Sequence, residues 1–349
     1  MTDIRFPAEW ERQSAVQMTW PHIGGFWDEI LDAADRNFAE IAAQISVYQP
    51  VIITCFDESH VAHVKNCIKR AGAELQRVRL YIAPSNDVWV RDHGPITVLR
   101  NDKALLMDFI FNAWGSKYNS ADDNALTARL AALGVYGNTE REAHRFILEG
   151  GSIDTDGQGT LLVTESCLLA VNRNRKLSKP DIETQLKASL GVKRILWLSQ
   201  GYLAGDDTNG HIDTLARFTD PHTLCYMSCD DEHDEHFDDL RAMEAELKNF
   251  VDYQGKAYRL VKLPLPRARQ GIFDGRRLPA SYANFLIINN AVLFPTYDDP
   301  ADSLALHQIK LCFPERCIVP IDCRVLVENF GSLHCATMQL PAGVIDEAI

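Results

Sequence analysis

Apolar positions along the 349-residue chain alternate between two periods. Short apolar runs read as buried strands, and between them apolar residues return every three or four positions, as on amphipathic helices. The helical period predicts helices over 28–47, 58–71, 122–133, 180–190, 234–250 and 301–312. In 234–250, Phe237, Leu240, Met243, Leu247 and Phe250 share one face. Strand candidates are 51–56, 77–82, 104–109, 160–164, 194–198, 214–218, 284–295 and 316–321. The last five helices recur about every 60 residues, which suggests an internal structural repeat. Five strand-and-helix units in a ring would close into one α/β domain spanning 1–349. An open α/β sheet is the alternative that periodicity leaves standing.

Composition narrows the class. With 46% hydrophobic and 24% charged residues, the chain has ample material for a core. Its net charge of -13 repels nucleic acid and anionic lipid and attracts small cations. Nine cysteines without a C-x-x-C pair predict free thiols in a reducing compartment rather than a disulfide scaffold. The start, MTDIRFPAEWERQ, has no signal-peptide core, and no apolar run reaches the length of a membrane span. The expectation is a soluble cytoplasmic protein with no nucleic-acid or membrane partner. Surface apolar residues could support a homodimer.

Four segments hold candidate chemistry. SNDVWVRDHGP (85–95) packs Asp87, Trp89, Arg91, Asp92 and His93 after a predicted strand, where ligand sites concentrate, although a capped turn reads equally well. GDDTNGHIDTLARF (205–218) contains His211-x-Asp213, and on an extended chain those two side chains share a face. A carboxylate beside an imidazole suits acid–base work; a capped turn with a satisfied histidine is the plainer reading, and H-x-D alone supplies too few ligands for zinc. FILEGGSIDTD (146–156) places Glu149 before two glycines, and by itself reads as a surface acid before a turn. FGSLHCATMQLP (330–341) contains Cys335, a buried filler or a nucleophile. If 333–338 is extended, His334 and Cys335 point to opposite faces, so the base comes from elsewhere, with His211 the best candidate. Asp92 and Asp213 near a thiol make electrostatic sense for a cationic substrate, and a planar guanidinium accepts paired carboxylates. Two further clusters carry plainer readings. His233 and His236 in DDEHDEHFDD (230–239) read as a solvated helix start rather than metal ligands, and NRNRKLSK (172–179) as a solvated loop.

Together these residues resemble the agmatine deiminases and the related bacterial-type peptidyl-arginine deiminases of the guanidine-modifying pentein superfamily. The motifs PAEWE, MTWP, NDVWVRDHGP, FNAWGSKY, EGGSIDTDG, TESCLL, NRNR, GDDTNGHIDTLARF, SYANFLIINNAV and HCAT stand in family order across nearly the whole chain. The resemblance implies a five-bladed pseudo-symmetric α/β propeller, the pentein fold, built of five ββαβ-like repeats. It implies hydrolysis of agmatine to N-carbamoylputrescine and ammonia, with no metal or organic cofactor. Carried over by position, Cys335 is the nucleophile that forms a covalent amidino intermediate. His211 is the acid and base, Asp92 and Asp213 grip the guanidinium, and Glu149 orients the histidine. Trp89 lines the channel and Asn284 lies near the site. The chain departs from the family before its nucleophile, where Gly331 stands alone and Leu333 replaces the usual Ile. That departure bears on substrate identity more than on reaction class.

Other readings share parts of this pattern. A peptidyl-arginine or free-arginine deiminase needs a cation for the substrate carboxylate, for which Arg91 or Arg173 are candidates. An amidinotransferase of the same fold needs an amine acceptor. A non-catalytic pentein that only binds a partner has no need to keep Cys335, His211 and the acids together.

Overall fold

A computed structural model describes residues 3–346. Its strands form five sheets, and four are built on the same plan. An antiparallel hairpin is followed by a helix and by a strand parallel to the second hairpin strand. The first such unit pairs Ile96–Arg100 with Lys103–Ile110, crosses over through Ala121–Ala132 and returns as Glu140–Ile147. The second runs Ile153–Thr155, Thr160–Thr164, Lys179–Leu190 and Arg194–Leu198. The third runs Ala216–Asp220, Thr223–Ser228, Phe237–Leu247 and Arg259–Pro264. The fourth runs Leu286–Ile288, Ala291–Thr296, Asp302–Cys312 and Cys317–Asp322.

The fifth sheet joins the two ends of the chain. Met338–Pro341 pairs antiparallel with Gln13–Thr19, which connects through Leu31–Tyr48 to the parallel strand Val51–Cys55. Helix Glu58–Arg70 and strand Val78–Ile82 extend this sheet by one strand. The crossover helix of this unit is therefore the first helix, and Glu58–Arg70, counted in the 60-residue period, is an addition.

All six predicted helices form, because their apolar stripes are local signals that the sheets then bury. Segment 234–250 shortens to Phe237–Leu247. The long candidate 284–295 is a hairpin rather than one strand: Asn289-Asn290 makes a two-residue turn, and Asn290 takes φ 62°, a conformation that Asn tolerates well. Periodicity missed Gln13–Thr19, whose seven residues are all buried despite a polar composition. Side chains at 0–1% exposure, among them Phe38, Tyr226, Phe285 and Phe294, fill the core between sheets and helices. Among the described residues no helix is long and apolar enough to cross a membrane.

Candidate functional site

Each unit ends on a strand, and the segment leading from it to the next hairpin contributes to one buried cluster. The five segments carry Trp89 and Asp92, then Glu149, then His211 and Asp213, then Asn284, and finally Cys335. Repetition of one plan thus delivers residues up to 246 positions apart (Cys335 minus Trp89) to a common place. All seven are buried.

Two of the local conformations differ from the extended ones expected. Residues 333–336 form a turn, with Ala336 N–H donating to Ser332 O, and the strand begins only at Met338. His334 and Cys335 therefore do not lie on opposite faces of a strand. His211 precedes a short 3-10 turn, Ile212–Thr214, and this turn rather than an extended chain brings it near Asp213.

The thiol is held from two sides. Asn284 Nδ2 donates to Cys335 Sγ at 3.3 Å, while Asn284 Oδ1 accepts from His334 N at 2.9 Å and Cys335 N at 3.3 Å. Asp213 Oδ2 lies 3.8 Å from Sγ. The same oxygen accepts from His334 Nδ1 at 2.8 Å, and His334 Nε2 donates to Glu9 Oε2 at 2.8 Å. Both nitrogens of His334 are thus committed to carboxylates, which removes it as a free base. Glu9 also takes Arg217 at 2.9 Å and the amide of Ile287 at 2.7 Å.

Asp92 sits in a helical turn, Val90–His93. Its Oδ2 accepts from Trp114 Nε1 at 2.9 Å and its Oδ1 from Gly151 N at 3.0 Å, with His211 Nδ1 3.6 Å away. Trp114 reaches it from a kink in which Ala113, Trp114, Gly115 and Ser116 all have positive φ, a strained run of the kind that gathers at ligand sites. Gly151 is required by space: a Cβ there would lie 2.6 Å from His211 Nδ1 and 2.8 Å from Asp92 Oδ1. At Gly331 a Cβ would lie 2.4 Å from the ring of Trp89, so the lone glycine before Cys335 lets the chain pass against the indole.

Electrostatics distinguish the groups. Burial, then Asp213 and Asp92, push the Cys335 thiol well above its usual range. Burial and the neighbouring Asp213 also raise Asp92 well above a normal carboxylate. Burial acts on Asp213 too, but the hydrogen bond and charge of His334 outweigh it and leave the carboxyl lowered. Burial lowers His211 to about 3, so its ring is neutral. Neither nitrogen of His211, nor Asp213 Oδ1, has a hydrogen-bond partner among the described residues. Buried polar atoms left open beside a thiol are poised to take a ligand.

Glu149 is buried, not the surface acid that its segment alone suggested. Both its oxygens accept from Arg173 Nε, at 2.9 and 3.1 Å, and its carboxylate lies within 4.8 Å of His211. Arg173 continues to Asn209 Oδ1 at 2.7 Å and Thr208 O at 2.6 Å. The stretch 172–179 is therefore no purely solvated loop: Arg173 lies 5% exposed beneath the site. Arg91 is likewise committed, to Gln339 Oε1 at 2.6 Å and His334 O at 3.3 Å. Glu149, Cys167 and His211 could in principle hold a metal, but Arg173 already neutralises Glu149. His236 is no ligand either, since its nitrogens meet Asp234 Oδ1 and Ala204 N at 2.7 Å.

Sequence reasoning assigned no role to Glu9 or Trp114, and it offered Arg173 only as a cation for a substrate carboxylate rather than as the partner of Glu149, although each lies in a quoted motif. Their motifs were the available signal. A pocket of about 340 Å³ opens over Cys335, with Trp89, Asp92, Trp114 and Phe330 among its walls. Asp87, Asp123, Asp206 and Asp207 also line it, and among its described lining residues there is no Lys, Arg or His.

The geometry fits what comparison finds. A Porphyromonas gingivalis structure, named provisionally as an arginine deiminase, is 47% identical with a TM-score of 0.92, covering 98% of this chain and 100% of its own. A cysteine-to-serine variant of C. jejuni agmatine deiminase with substrate bound is 36% identical with a TM-score of 0.90, covering 97% and 96%. The agmatine deiminase of Stutzerimonas stutzeri is 34% identical over 358 residues, 96% of this chain and 95% of its own. The pattern of the Porphyromonas-type peptidyl-arginine deiminases matches residues 5–341, and the chain belongs to that family.

Proposed function

We propose that the protein is an agmatine deiminase, hydrolysing agmatine to N-carbamoylputrescine and ammonia. The observation that carries this reading is the pocket over Cys335, which has five aspartates in its walls and no cationic side chain among its described lining residues. Agmatine brings a guanidinium at one end and an ammonium at the other. Both charges suit such a pocket, whereas the carboxylate of free arginine would meet repulsion. The cations considered for that carboxylate, Arg91 and Arg173, are occupied by other partners.

In this reading Asp92 and Asp213 take the guanidinium nitrogens, and Trp89 and Trp114 wall the channel. The Cys335 thiol proton passes to His211 as Sγ bonds to the guanidinium carbon. His211 then gives that proton to the departing nitrogen, which leaves as ammonia. The amidino-thioether that results loses its sulfur when His211 takes a proton from water and the oxygen bonds to carbon. The product is a urea, and Cys335 regains its proton. Glu149, charged against Arg173, holds the region behind His211 in place. Asn284 supports the turn that presents the thiol. No metal or organic cofactor enters these steps.

The five ββαβ units form one catalytic domain, a five-bladed propeller with the site in its central channel, and the five equivalent linking segments support this arrangement. Nine free cysteines suit the cytoplasm. The exposed Ile23 and Ile272 offer apolar surface to a second copy, and sedimentation equilibrium tests that homodimer.

A second reading is an arginine or peptidyl-arginine deiminase. It is favoured by Arg276, whose guanidinium lies 4.5 Å above the ring of Phe330, a pocket wall. Ammonia release from agmatine, free arginine and a peptide ending in arginine decides between them, with Cys335→Ser as control. Turnover of agmatine alone, lost in the variant, supports the first reading. Turnover of the arginine compounds moves the protein to the second.

A further inference from the structure

We propose a zinc-class metal site on the outer helices of the fifth unit, formed by Asp35, His63 and Cys67. His63 and Cys67 stand four residues apart on Glu58–Arg70, so both side chains leave the same helix face. Asp35 approaches from Leu31–Tyr48. The three donor atoms already converge: His63 Nε2 lies 2.6 Å from Asp35 Oδ2 and 3.6 Å from Cys67 Sγ. All three lie within 4.8 Å of one another.

The carboxylate is oriented as a ligand would be. Trp20, fully buried, donates from Nε1 to Asp35 Oδ1 at 2.7 Å, which fixes the group and leaves Oδ2 turned to His63. Such a partner behind a ligand is a recurring feature of metal sites. The other two donors are accessible, because the His63 side chain is half exposed and Cys67 is partly so. A thiolate, an imidazole and a carboxylate form a donor set suited to zinc and its borderline neighbours rather than to magnesium or calcium. Burial raises the Cys67 thiol, as do Asp35 and Asp32, while Arg70 opposes them. Two carboxylates against one guanidinium leave a field that favours a cation.

The nearby His60 does not complete the set. Its Nδ1 accepts from Phe56 N at 2.9 Å and its Nε2 faces Pro21 O at 3.1 Å. A water would therefore hold the fourth position. On binding, the metal replaces the proton between His63 and Asp35, and Cys67 loses its thiol proton to solvent. The ion would tie the two helices where the His63–Asp35 hydrogen bond now joins them.

Cobalt(II) titration tests the site, because a cobalt–thiolate bond absorbs in the near ultraviolet. The expected result is one equivalent per chain with a thiolate band, lost in Cys67→Ser and weakened at least about 10-fold in His63→Ala. The band should persist in Cys167→Ser and Cys335→Ser, which separates this site from the interior thiols. Cobalt should also raise the Tm of the wild type but not of Cys67→Ser. Substitution of these half-exposed positions leaves the core intact, and circular dichroism verifies the fold. Absence of a stoichiometric band in the wild type would overturn the site. So would its survival in Cys67→Ser, or its loss in Cys167→Ser.

Discussion

Asp213 presents a single oxygen, Oδ2, to the Cys335 thiol at 3.8 Å and to the ring of His334 at 2.8 Å. The ion pair with His334 keeps Asp213 negative, and a negative neighbour opposes formation of a thiolate. Without substrate the Cys335 thiol is therefore neutral, and in the proposed reaction a bound guanidinium reverses the balance.

Substrate should assist its own attack. Thiolate absorbance of the free protein should stay low through neutral pH, and a non-reacting guanidinium analogue should shift the titration downward by at least about one pH unit. Identical titrations with and without the analogue would sink this idea.

His334→Ala should be severe. Extended geometry would have made it mild, but the turn gives the ring two buried carboxylates to hold. Removing it leaves Asp213 and Glu9 short of a partner, at a cost on the order of 3 kcal/mol. Urea unfolding measures this; a change below about 0.5 kcal/mol would show that the charges relax elsewhere.

Trp114→Phe removes the indole donor to Asp92 while keeping an aromatic wall. With a guanidinium bound Asp92 is charged, and a hydrogen bond to a charged group contributes about 1.5–3 kcal/mol, so kcat/KM should fall about 10- to 100-fold with the fold unchanged. Steady-state kinetics on agmatine read the effect, and an unaltered kcat/KM would place Asp92 outside the substrate's grip.

Gly331→Ala pushes a methyl into Trp89. The indole or the turn that carries Cys335 must shift, and a displacement near 1 Å costs roughly 100-fold in rate. Because Trp89 lines the pocket, the loss should appear in kcat/KM before it appears in Tm.

His211 makes stability depend on pH. Its folded value of about 3 lies below the ordinary 6.5, so below pH 6.5 the unfolded chain takes up a proton that the folded ring refuses. This contribution weakens the fold as pH drops from 6.5 toward 3. His211→Asn should flatten that part of the stability profile, and urea midpoints of both proteins between pH 7 and pH 5 compare them. Parallel profiles would mean that His211 takes up its proton over the same pH range in the folded and the unfolded chain.

Helices were legible along the chain because an apolar stripe is a property of a dozen neighbouring residues. The motifs likewise named Cys335, His211, Asp92, Asp213, Glu149, Trp89 and Asn284, since each lies in a short local pattern that the family shares. What the sequence by itself determined is therefore local: where helices run, which side chains have reactive chemistry, and which family they resemble. The tertiary structure alone decided their partners. It turned His334 toward Asp213 and Glu9, 121 and 325 residues away. It buried Arg173 against Glu149, where a run of basic residues read as solvated surface. It also closed the fifth sheet with strands from opposite ends of the chain. A charged side chain is buried or exposed according to the groups that meet it across space, and neither hydrophobic periodicity nor motif spacing carries that information.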